Sequence, residues 1–320
     1  MDLTVAAITW ISQFTSLREQ MKSRREFLRT SISLAGSALA GNALLGCAQA
    51  ESSSGVQVSG HLWVYASRYP PDWDSTPILE QVFSDFSYAG IEGLELMEVN
   101  LRHDDFVQRA KDLIGKYKVP ITGSSYSGNM WNRAEHNRIL EDVELVLGRL
   151  HEVGGETFGI TVGDAGRKKT EEELDAQAEL LKTILKVSDQ NAIQVNIHNH
   201  TFEVVNDMHD LRGIISRIPD IKLGPDLNWL VRGGVDPVWF IQKYGKQMVY
   251  MHIRDQDAEG KWTEAVGEGV MDFPAIAAAL KEINYKGRAA IELAFEGPPV
   301  NEVRETWKKS RAYVNEIFGW

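Results

Sequence analysis

The sequence contains very little cysteine and no concentrated positive charge. Cys47 is the one cysteine among 320 residues, so no disulfide bond can form within the chain. The formal net charge is -11, and no cluster of Lys and Arg provides the basic surface that binding to a phosphate backbone requires. Neither GxGxxG nor P-loop spacing is present, so no glycine-rich phosphate cradle is predicted. A hydrophobic fraction of 43% and a charged fraction of 25% are typical of a soluble globular protein.

The N-terminal part has the pattern of an export signal rather than of a folded domain. A basic stretch at 23–29 precedes a run of apolar and small residues from Thr30 to Gly46, which is too short to span a membrane comfortably. The pair Arg24-Arg25 resembles a twin-arginine signal, and Met21 is the probable true start of the chain. Residues 1–46 are therefore predicted to direct export.

A lipid anchor is predicted where this segment ends. Leu44-Leu45-Gly46-Cys47 resembles a lipobox, in which the cysteine is lipidated after cleavage, and no Asp follows it to retain the protein at the inner membrane. Residues 47–59 are rich in Ser and Gly and are predicted to be a flexible tether. We therefore expect a periplasmic protein that contacts a membrane only through its lipid, at the outer membrane.

Residues 60–320 alternate between strand-like runs and helical patterns. The strand-like runs cover 61–66, 91–97, 119–124, 157–162, the start of 193–203, 221–226, 248–254 and 288–293. Alternating strands and helices predict parallel βα units, and eight units over about 260 residues predict one closed (β/α)8 barrel. An open doubly wound sheet is the alternative, but it would usually carry a glycine-rich loop after its first strand, where this chain has VYASRYPPDW.

Four successive strand-like runs finish on residues that can bind a metal. These residues are His198, Asp226, His252 and Glu292. Because active sites of such barrels lie at the C-terminal ends of the strands, we expect the four side chains to meet there. Two imidazoles and two carboxylates suit one divalent ion such as Mn, Co, Zn or Mg. Each residue taken alone has an ordinary structural explanation, so the prediction rests on the four together.

Further candidates lie near the same strand ends. Trp229, Tyr126 and Trp262 are candidate stacking surfaces for a sugar. Arg254 and Asp255 either bind substrate hydroxyls or form a salt-linked loop. Glu95, at the end of the second run, is either a substrate contact or a solvated charge on the rim.

The region from about residue 60 onward resembles the sugar phosphate isomerase/epimerase family, which has a xylose-isomerase-like barrel. The resemblance rests on HNHTFE at 198–203, LGPDLNWLVRGGVDP at 223–237, MHIRDQD at 251–257, VGEGVMDFPAI at 266–276 and IEL at 291–293. It implies one metal held by Glu, Asp, His and Glu on consecutive strands. Here His198 stands at the first position, so His198, His200 or Glu203, in that order, is expected to complete the set with Asp226, His252 and Glu292.

That difference bears on the expected activity. Ketose 3-epimerases of the family use two metal-bound glutamates, and His198 breaks this pair, whereas HNHxxE resembles a branch that acts on 3-keto sugars and 3-keto glycosides. The resemblance implies metal-dependent enolisation of a non-phosphorylated carbohydrate, by a lyase or hydratase or by an isomerase or epimerase. Glu292 is the first candidate base, followed by His200 and Glu203, although Glu203 would equally orient a histidine. The alternative function is an exported carbohydrate-binding barrel without turnover.

Overall fold

The computed structural model describes residues 55–320, so Met21, Arg24, Arg25 and Cys47 lie outside the described part. Within it, seven parallel strands form one sheet in the order β5-β4-β3-β2-β1-β7-β6. The strands are β1 Val58–His61, β2 Gly93–Met97, β3 Ile121–Ser127, β4 Thr157–Thr161, β5 Gln194–Ile197, β6 His252–Ile253 and β7 Ala289–Glu292. Residues 55–320 include no helix that is both long and apolar enough to cross a bilayer.

The segment 221–226 closes the sheet between β5 and β6. It forms single parallel bridges that pair Leu223 with Ile197 and Met248, and Asp226 with His252. A continuous ladder is interrupted because Pro225 has no backbone N–H to donate. Gly224 is required by close packing, since a Cβ there would lie 1.9 Å from Asn196 Oδ1. The predicted single (β/α)8 barrel is confirmed, with the sixth strand reduced to these bridges.

The outer layer consists of helices that connect the strands. In the described residues they are α1 Trp63–Ala66, α2 Leu79–Ala89, α3 Glu98–Leu101, α4 Phe106–Tyr117, α5 His136–Glu152, α6 Glu171–Gln190, α7 Thr201–Arg217, α8 Leu227–Arg232, α9 Pro237–Tyr244, α10 Phe273–Glu282 and α11 Val303–Phe318. Short 3-10 turns at Thr76–Ile78 and Arg133–Glu135 precede α2 and α5. Residues 205–208 within α7 leave the helical conformation, three of them with positive φ.

The longest helix shows how the sequence defines these elements. Thr170 begins α6 with a capping box, in which its Oγ1 accepts from Glu173 N and Glu173 Oε2 accepts from Thr170 N. Leu174, Leu181 and Ile184 recur at helical spacing and are buried. The apolar stripe of the helix faces the sheet, so its polar residues lie on the outside. Loops form both ends of the barrel.

The first predicted strand was placed three residues too late. The structure has β1 at Val58–His61 and a short helix at Trp63–Ala66. The run HLWVYA has β-propensity, but Leu62, Tyr65 and Ala66 are buried at helical spacing, and tertiary packing decides the conformation. Because Val56 and Val58 are also buried, residues 56–59 of the predicted tether belong to the barrel.

Candidate active site

A cavity of about 430 Å³ opens at the C-terminal ends of the strands. It is lined by residues from most of the strand ends, namely His61, Trp63, Trp73, Met97, Glu98, Ser125, Tyr126, Ser127, Thr161, His198, His200, Trp229, His252, Arg254, Trp262 and Glu292. Its size suits a small ligand, and its mixture of aromatic rings with few convergent polar groups is typical of a binding site. The sequence therefore predicted the correct end of the barrel.

Three of the four predicted metal ligands form one compact group. His198, Asp226 and His252 each offer a ligand atom, and these atoms lie within 4.8 Å of one another. All three side chains are buried. Burial lowers the pKa of His198 well below its ordinary value, and the nearby His252 and His200 lower it further. A neutral imidazole is the form that binds a metal, so His198 is poised as a ligand.

Asp226 is fixed so that one oxygen remains available. Its Oδ1 accepts hydrogen bonds from Asn228 N at 2.8 Å and Trp229 N at 3.0 Å, which caps the start of α8. Its Oδ2 is buried and has no hydrogen-bond partner, although Arg254 Nε lies 3.6 Å away. An orphaned buried carboxylate oxygen beside two imidazoles is a donor set that fits a divalent cation. The residues present therefore fit the metal that the sequence predicts.

Glu292 lies beside this group, and its two carboxylate oxygens contact His252 and Arg254. Its Oε2 lies 2.6 Å from His252 Nδ1, and its Oε1 pairs with the buried guanidinium of Arg254. The other nitrogen of His252, Nε2, lies 2.8 Å from Glu95 Oε2. His252 thus lies between two carboxylates, and only Glu292 of the two lines the cavity.

Glu95 is not the solvated rim charge that the sequence allowed. Its exposed fraction is 2%, and its Oε2 also accepts a hydrogen bond from Tyr250 Oη at 3.0 Å. Burial raises its pKa, but His252 and its hydrogen bond, together with His61, lower the pKa more, so the net shift is downward. Glu95 does not line the cavity. Its place against His252 Nε2 is that of a carboxylate that orients a metal-binding histidine.

Glu203 also lies outside the cavity. It is fully buried, and its Oε2 accepts from His200 N at 2.7 Å while its Oε1 accepts from Val162 N at 3.2 Å. Burial raises the pKa of Glu203 to about 8. Because both oxygens accept from backbone groups, Glu203 fixes the turn that carries His200, and it is not among the residues that line the cavity. Its alternative role as an orienting residue agrees with this geometry.

His200 itself lines the cavity beside His198. Their ring centroids are 5.2 Å apart, and His200 packs edge-on against Trp229 at 5.4 Å. Burial lowers the pKa of His200 to about 3, so its imidazole is neutral. Its buried Nδ1 has no hydrogen-bond partner among the described residues. Although β5 ends at Ile197, before both histidines, His198 and His200 line the same cavity.

Asp255 holds a loop and is not among the residues that line the cavity. Its carboxylate accepts from the backbone N–H groups of Gln256, Gly267 and Gly269, each at 2.9 Å, and of Met271 at 3.2 Å. Gly269 is required here, because a Cβ would lie 2.3 Å from Asp255 Oδ1. The loop 267–271 is therefore organised around one buried carboxylate.

Replacing Asp255 with Asn should destabilise the fold. The amide presents an N–H group where the carboxylate accepts, and hydrogen bonds to a charged group contribute about 1.5–3 kcal/mol each. We expect the free energy of unfolding, measured with urea, to fall by about 2–3 kcal/mol. Asp220→Asn, at an exposed position, is the matched control and should leave the midpoint unchanged. Equal midpoints of urea unfolding for Asp255→Asn and Asp220→Asn would contradict the role of Asp255 in holding the loop.

Aromatic and cationic side chains form one wall of the cavity. Trp229 and Trp262 pack edge to face at 5.1 Å, and the guanidinium of Arg254 lies 4.5 Å from the Trp262 ring centroid. The guanidinium of Arg232 also packs on this pair, 3.3 Å from the Trp262 centroid. Tyr126 contributes its ring from another wall, where its hydroxyl donates to Asp142 Oδ2 at 2.9 Å. Trp229, Trp262, Tyr126 and Arg254 thus all line the cavity, as the sequence predicted.

Two titratable residues of the cavity were missed from the sequence. His61 ends β1, where its Nδ1 accepts from Trp63 N at 3.2 Å and its Nε2 therefore donates to Ser125 Oγ at 3.0 Å. Glu98 is the first residue of α3, directly after β2. Both follow the rule that identified the metal group, since each lies at the C-terminal end of a strand. His61 was missed because the first strand was placed too late.

The parallel barrel and the buried His/Asp/His group at the C-terminal ends of its strands place the protein in the class of TIM-barrel proteins. The chain belongs to the xylose isomerase-like TIM barrel family, whose model matches residues 83–316. It is 23% identical over 287 residues to an inosose dehydratase of Clostridium beijerinckii, covering 78% of this chain and 93% of the dehydratase.

Solved structures agree on the fold. A sugar phosphate isomerase/epimerase from Parabacteroides distasonis superposes with a TM-score of 0.65 at 16% identity, covering 82% of this chain and 95% of that one. A 3-keto-D-glucoside 4-epimerase from E. coli superposes with a TM-score of 0.64, also at 16% identity, covering 82% and 99%. The resemblance to sugar phosphate isomerase/epimerase barrels predicted from the sequence is thus confirmed for the fold.

Proposed function

We propose that this protein is a divalent-metal-dependent enzyme that enolises a non-phosphorylated keto-sugar or 3-keto-glycoside. The observation that carries the proposal is the orphaned Asp226 Oδ2 beside His198 and His252, two buried histidines that line a cavity together with Trp229 and Trp262. The similarity to an inosose dehydratase and to the fold of a 3-keto-D-glucoside 4-epimerase supports a carbohydrate ketone as substrate. Within this chemistry we favour a lyase or hydratase over an isomerase or epimerase.

His198, Asp226 and His252 are the residues that would hold the metal, one Mn, Co, Zn or Mg ion. His198 is preferred over His200 and Glu203 as the ligand from the HNHxxE segment, because only His198 belongs to the compact group. Bound there, a divalent ion supplies Lewis-acid polarisation of a substrate carbonyl. Glu95 would keep His252 oriented by accepting from Nε2, which leaves Nδ1 and the neighbouring Glu292 facing the cavity.

The chain's own residues then provide the proton transfer. Glu292 lines the cavity and is our first candidate for the base that removes the proton next to the ketone. The paired Arg254 holds the carboxylate in place and offsets its buried charge. His200, neutral and unpartnered at Nδ1, is the second candidate. Trp229 and Trp262 would stack on the sugar and exclude water from the reacting carbons.

The charges of the cavity favour a substrate without phosphate. Arg254 is the single Lys or Arg among the described lining residues, and Glu292 pairs with it. A phosphate would therefore meet no unpaired Lys or Arg among these lining residues. We also propose that the chain is exported by the twin-arginine route and anchored through Cys47, which would place it away from cytoplasmic sugar phosphates.

Proton NMR in D2O tests the proposal directly. The metal-loaded protein from residue 51 onward is incubated with a 3-keto-glucoside, with a chelator-treated sample as control. Loss of the C2 proton signal with release of the aglycone, abolished by chelation, is the expected result. Exchange without release would assign an isomerase or epimerase. Sugar binding without exchange would replace the proposal with the alternative, a carbohydrate-binding barrel without turnover.

A further inference from the structure

Glu98 lies directly across the barrel from the metal-binding group. The ring order β5-β4-β3-β2-β1-β7-β6 is closed by the segment 221–226, so β2 is four positions from that segment in either direction. Glu98 follows β2, and Asp226 ends the opposite segment. Glu98 lines the same cavity as His198 and His252 of the metal group. The two opposite sides of the barrel therefore border one cavity.

The carboxylate of Glu98 is free to act on a ligand. Among the described residues no side chain donates a hydrogen bond to it, and its one ion-pair contact is Arg102 at 3.7 Å. That guanidinium is committed elsewhere, since its Nε and Nη2 donate to the two oxygens of Asp142 at 2.9 and 2.8 Å. Tyr126 Oη donates to the same Asp142. The packing therefore leaves the Glu98 side chain only 14% exposed without giving it a full side-chain partner.

This environment favours the protonated carboxyl. Burial raises the pKa of Glu98 to about 7, and the charge of Asp142 contributes in the same direction. Arg102 and the backbone amides of Glu98 and Ser127 oppose the shift but do not cancel it. The charged and titratable groups that face Glu98 are thus Arg102, Asp142 and Tyr126, none of which belongs to the metal group. A carboxyl of this kind can give up a proton near neutral pH.

We propose that Glu98 is the general acid that protonates the leaving oxygen during elimination. The inference rests on the proposed function and adds a residue and a role to it. A base removes the C2 proton of the 3-ketone, and the resulting enolate electrons form the C1–C2 double bond. The C1–O bond breaks, its electron pair stays on the departing oxygen, and the Glu98 carboxyl proton is transferred to that oxygen. An alcohol or water leaves, the base releases the C2 proton to solvent, and Glu98 is reprotonated by solvent.

The proposed elimination needs a base and an acid, and the structure places candidates for the two roles at separate locations. The base and the acid act on different substrate atoms, C2–H and the C1 oxygen, and the structure provides polar groups on opposite walls. Glu292 and His200 lie near the metal group, whereas Glu98 lies on the β2 wall. Because the acid form is populated below about pH 7, elimination of a poor leaving group should slow as pH rises through this value.

The test compares Glu98→Gln with wild type on two 3-keto-glucosides. Methyl 3-keto-glucoside releases an alkoxide that needs a proton, whereas the 4-nitrophenyl compound releases a stable phenolate. We expect Glu98→Gln to lose about 10²–10⁴-fold in turnover on the methyl compound and to change little on the nitrophenyl compound. The decline of the methyl rate above about pH 7 should disappear in the variant. Glu141→Gln, an exposed position on α5, is the control and should match wild type.

Exchange of the C2 proton in D2O distinguishes the possible failures. Wild type and Glu98→Gln should exchange this proton at similar rates, because the base is intact in both. Equal losses on both substrates, or a loss of exchange in the variant, would overturn the role as leaving-group acid. A normal rate on the methyl compound would overturn it as well. Absence of exchange in wild type would instead reject the proposed function, and the assignment of Glu98 with it.

Discussion

Asp226→Asn should weaken the binding of Co²⁺ by more than 100-fold while leaving the protein folded. The asparagine keeps an oxygen at Oδ1, which can still accept from Asn228 N and Trp229 N at the start of α8. It replaces the orphaned Oδ2 with an amide group, which cannot bind a metal. Because the loss of residues that only orient a ligand already costs about 10–100-fold in metal affinity, the loss of a ligand should cost at least that much.

The measurement is a titration with Co²⁺ followed by visible absorption, with equilibrium dialysis as a second method. Asp236→Asn is the matched control, since Asp236 Oδ1 caps α9 by accepting from Val238 N at 2.8 Å, at an exposed position away from the cavity. Both variants should unfold near the wild-type temperature in the absence of metal. Binding of Co²⁺ to Asp226→Asn with wild-type affinity would contradict the assignment of this group as the metal site.

The periodicity of the sequence was sufficient to predict the barrel, since strand-like and helical runs alternate through the whole of 60–320. The exact ends of the strands were harder to predict. Directly after β1, the segment from Trp63 to Ala66 has strand propensity because most of its residues are aromatic or β-branched. It nevertheless forms a helix, in which buried residues recur every three to four positions. At 221–226 the hydrophobic pattern is that of a strand, but Pro225 and the contact of Gly224 with Asn196 limit it to single bridges.

The sequence predicted which side chains would approach the cavity better than it predicted what they contact. A position at the end of a strand places a residue near the rim, and His198, Asp226, His252 and Glu292 meet there for that reason. Spacing does not say which way a neighbouring carboxylate turns. Asp255 turns away to hold the loop 267–271.

The sequence around Glu203 contains a local pattern that is typical of helix capping. Three residues after the helix start at His200, a Glu is a common capping partner, and this is what the structure shows.

Glu95 and Glu98, by contrast, have no local sequence pattern that indicates their contacts. Both lie near the end of β2, yet one is sealed beneath the cavity against His252 and the other faces the cavity. The difference depends on Tyr250 and on Asp142, which are distant in sequence, so no local pattern reveals it.

Glu292→Gln should abolish most of the C2 proton exchange, with a loss of about 10²–10⁴-fold at saturating Co²⁺. The amide cannot accept the proton, and it also leaves the buried Arg254 without its ion partner, which destabilises the fold. Glu292→Asp is therefore the informative companion. It retains the negative charge beside Arg254 but withdraws the carboxylate by one methylene, and a misplacement of about 1 Å is enough to cost about 10²-fold in rate.

Measuring both variants together with His200→Gln separates the two candidate bases. If Glu292 is the base, exchange is slow in both of its variants, even at Co²⁺ concentrations that saturate binding, and His200→Gln retains most of the rate. If His200→Gln loses exchange and Glu292→Asp keeps it, the proton is taken by the unpartnered imidazole. A loss of Co²⁺ affinity in Glu292→Gln alone would assign Glu292 to the metal, as the fourth ligand that the sequence predicts. The geometry favours the first result, because Glu292 has His252 and Arg254 to hold its carboxylate at the cavity wall, whereas among the described residues the His200 ring has ring contacts but no hydrogen bond.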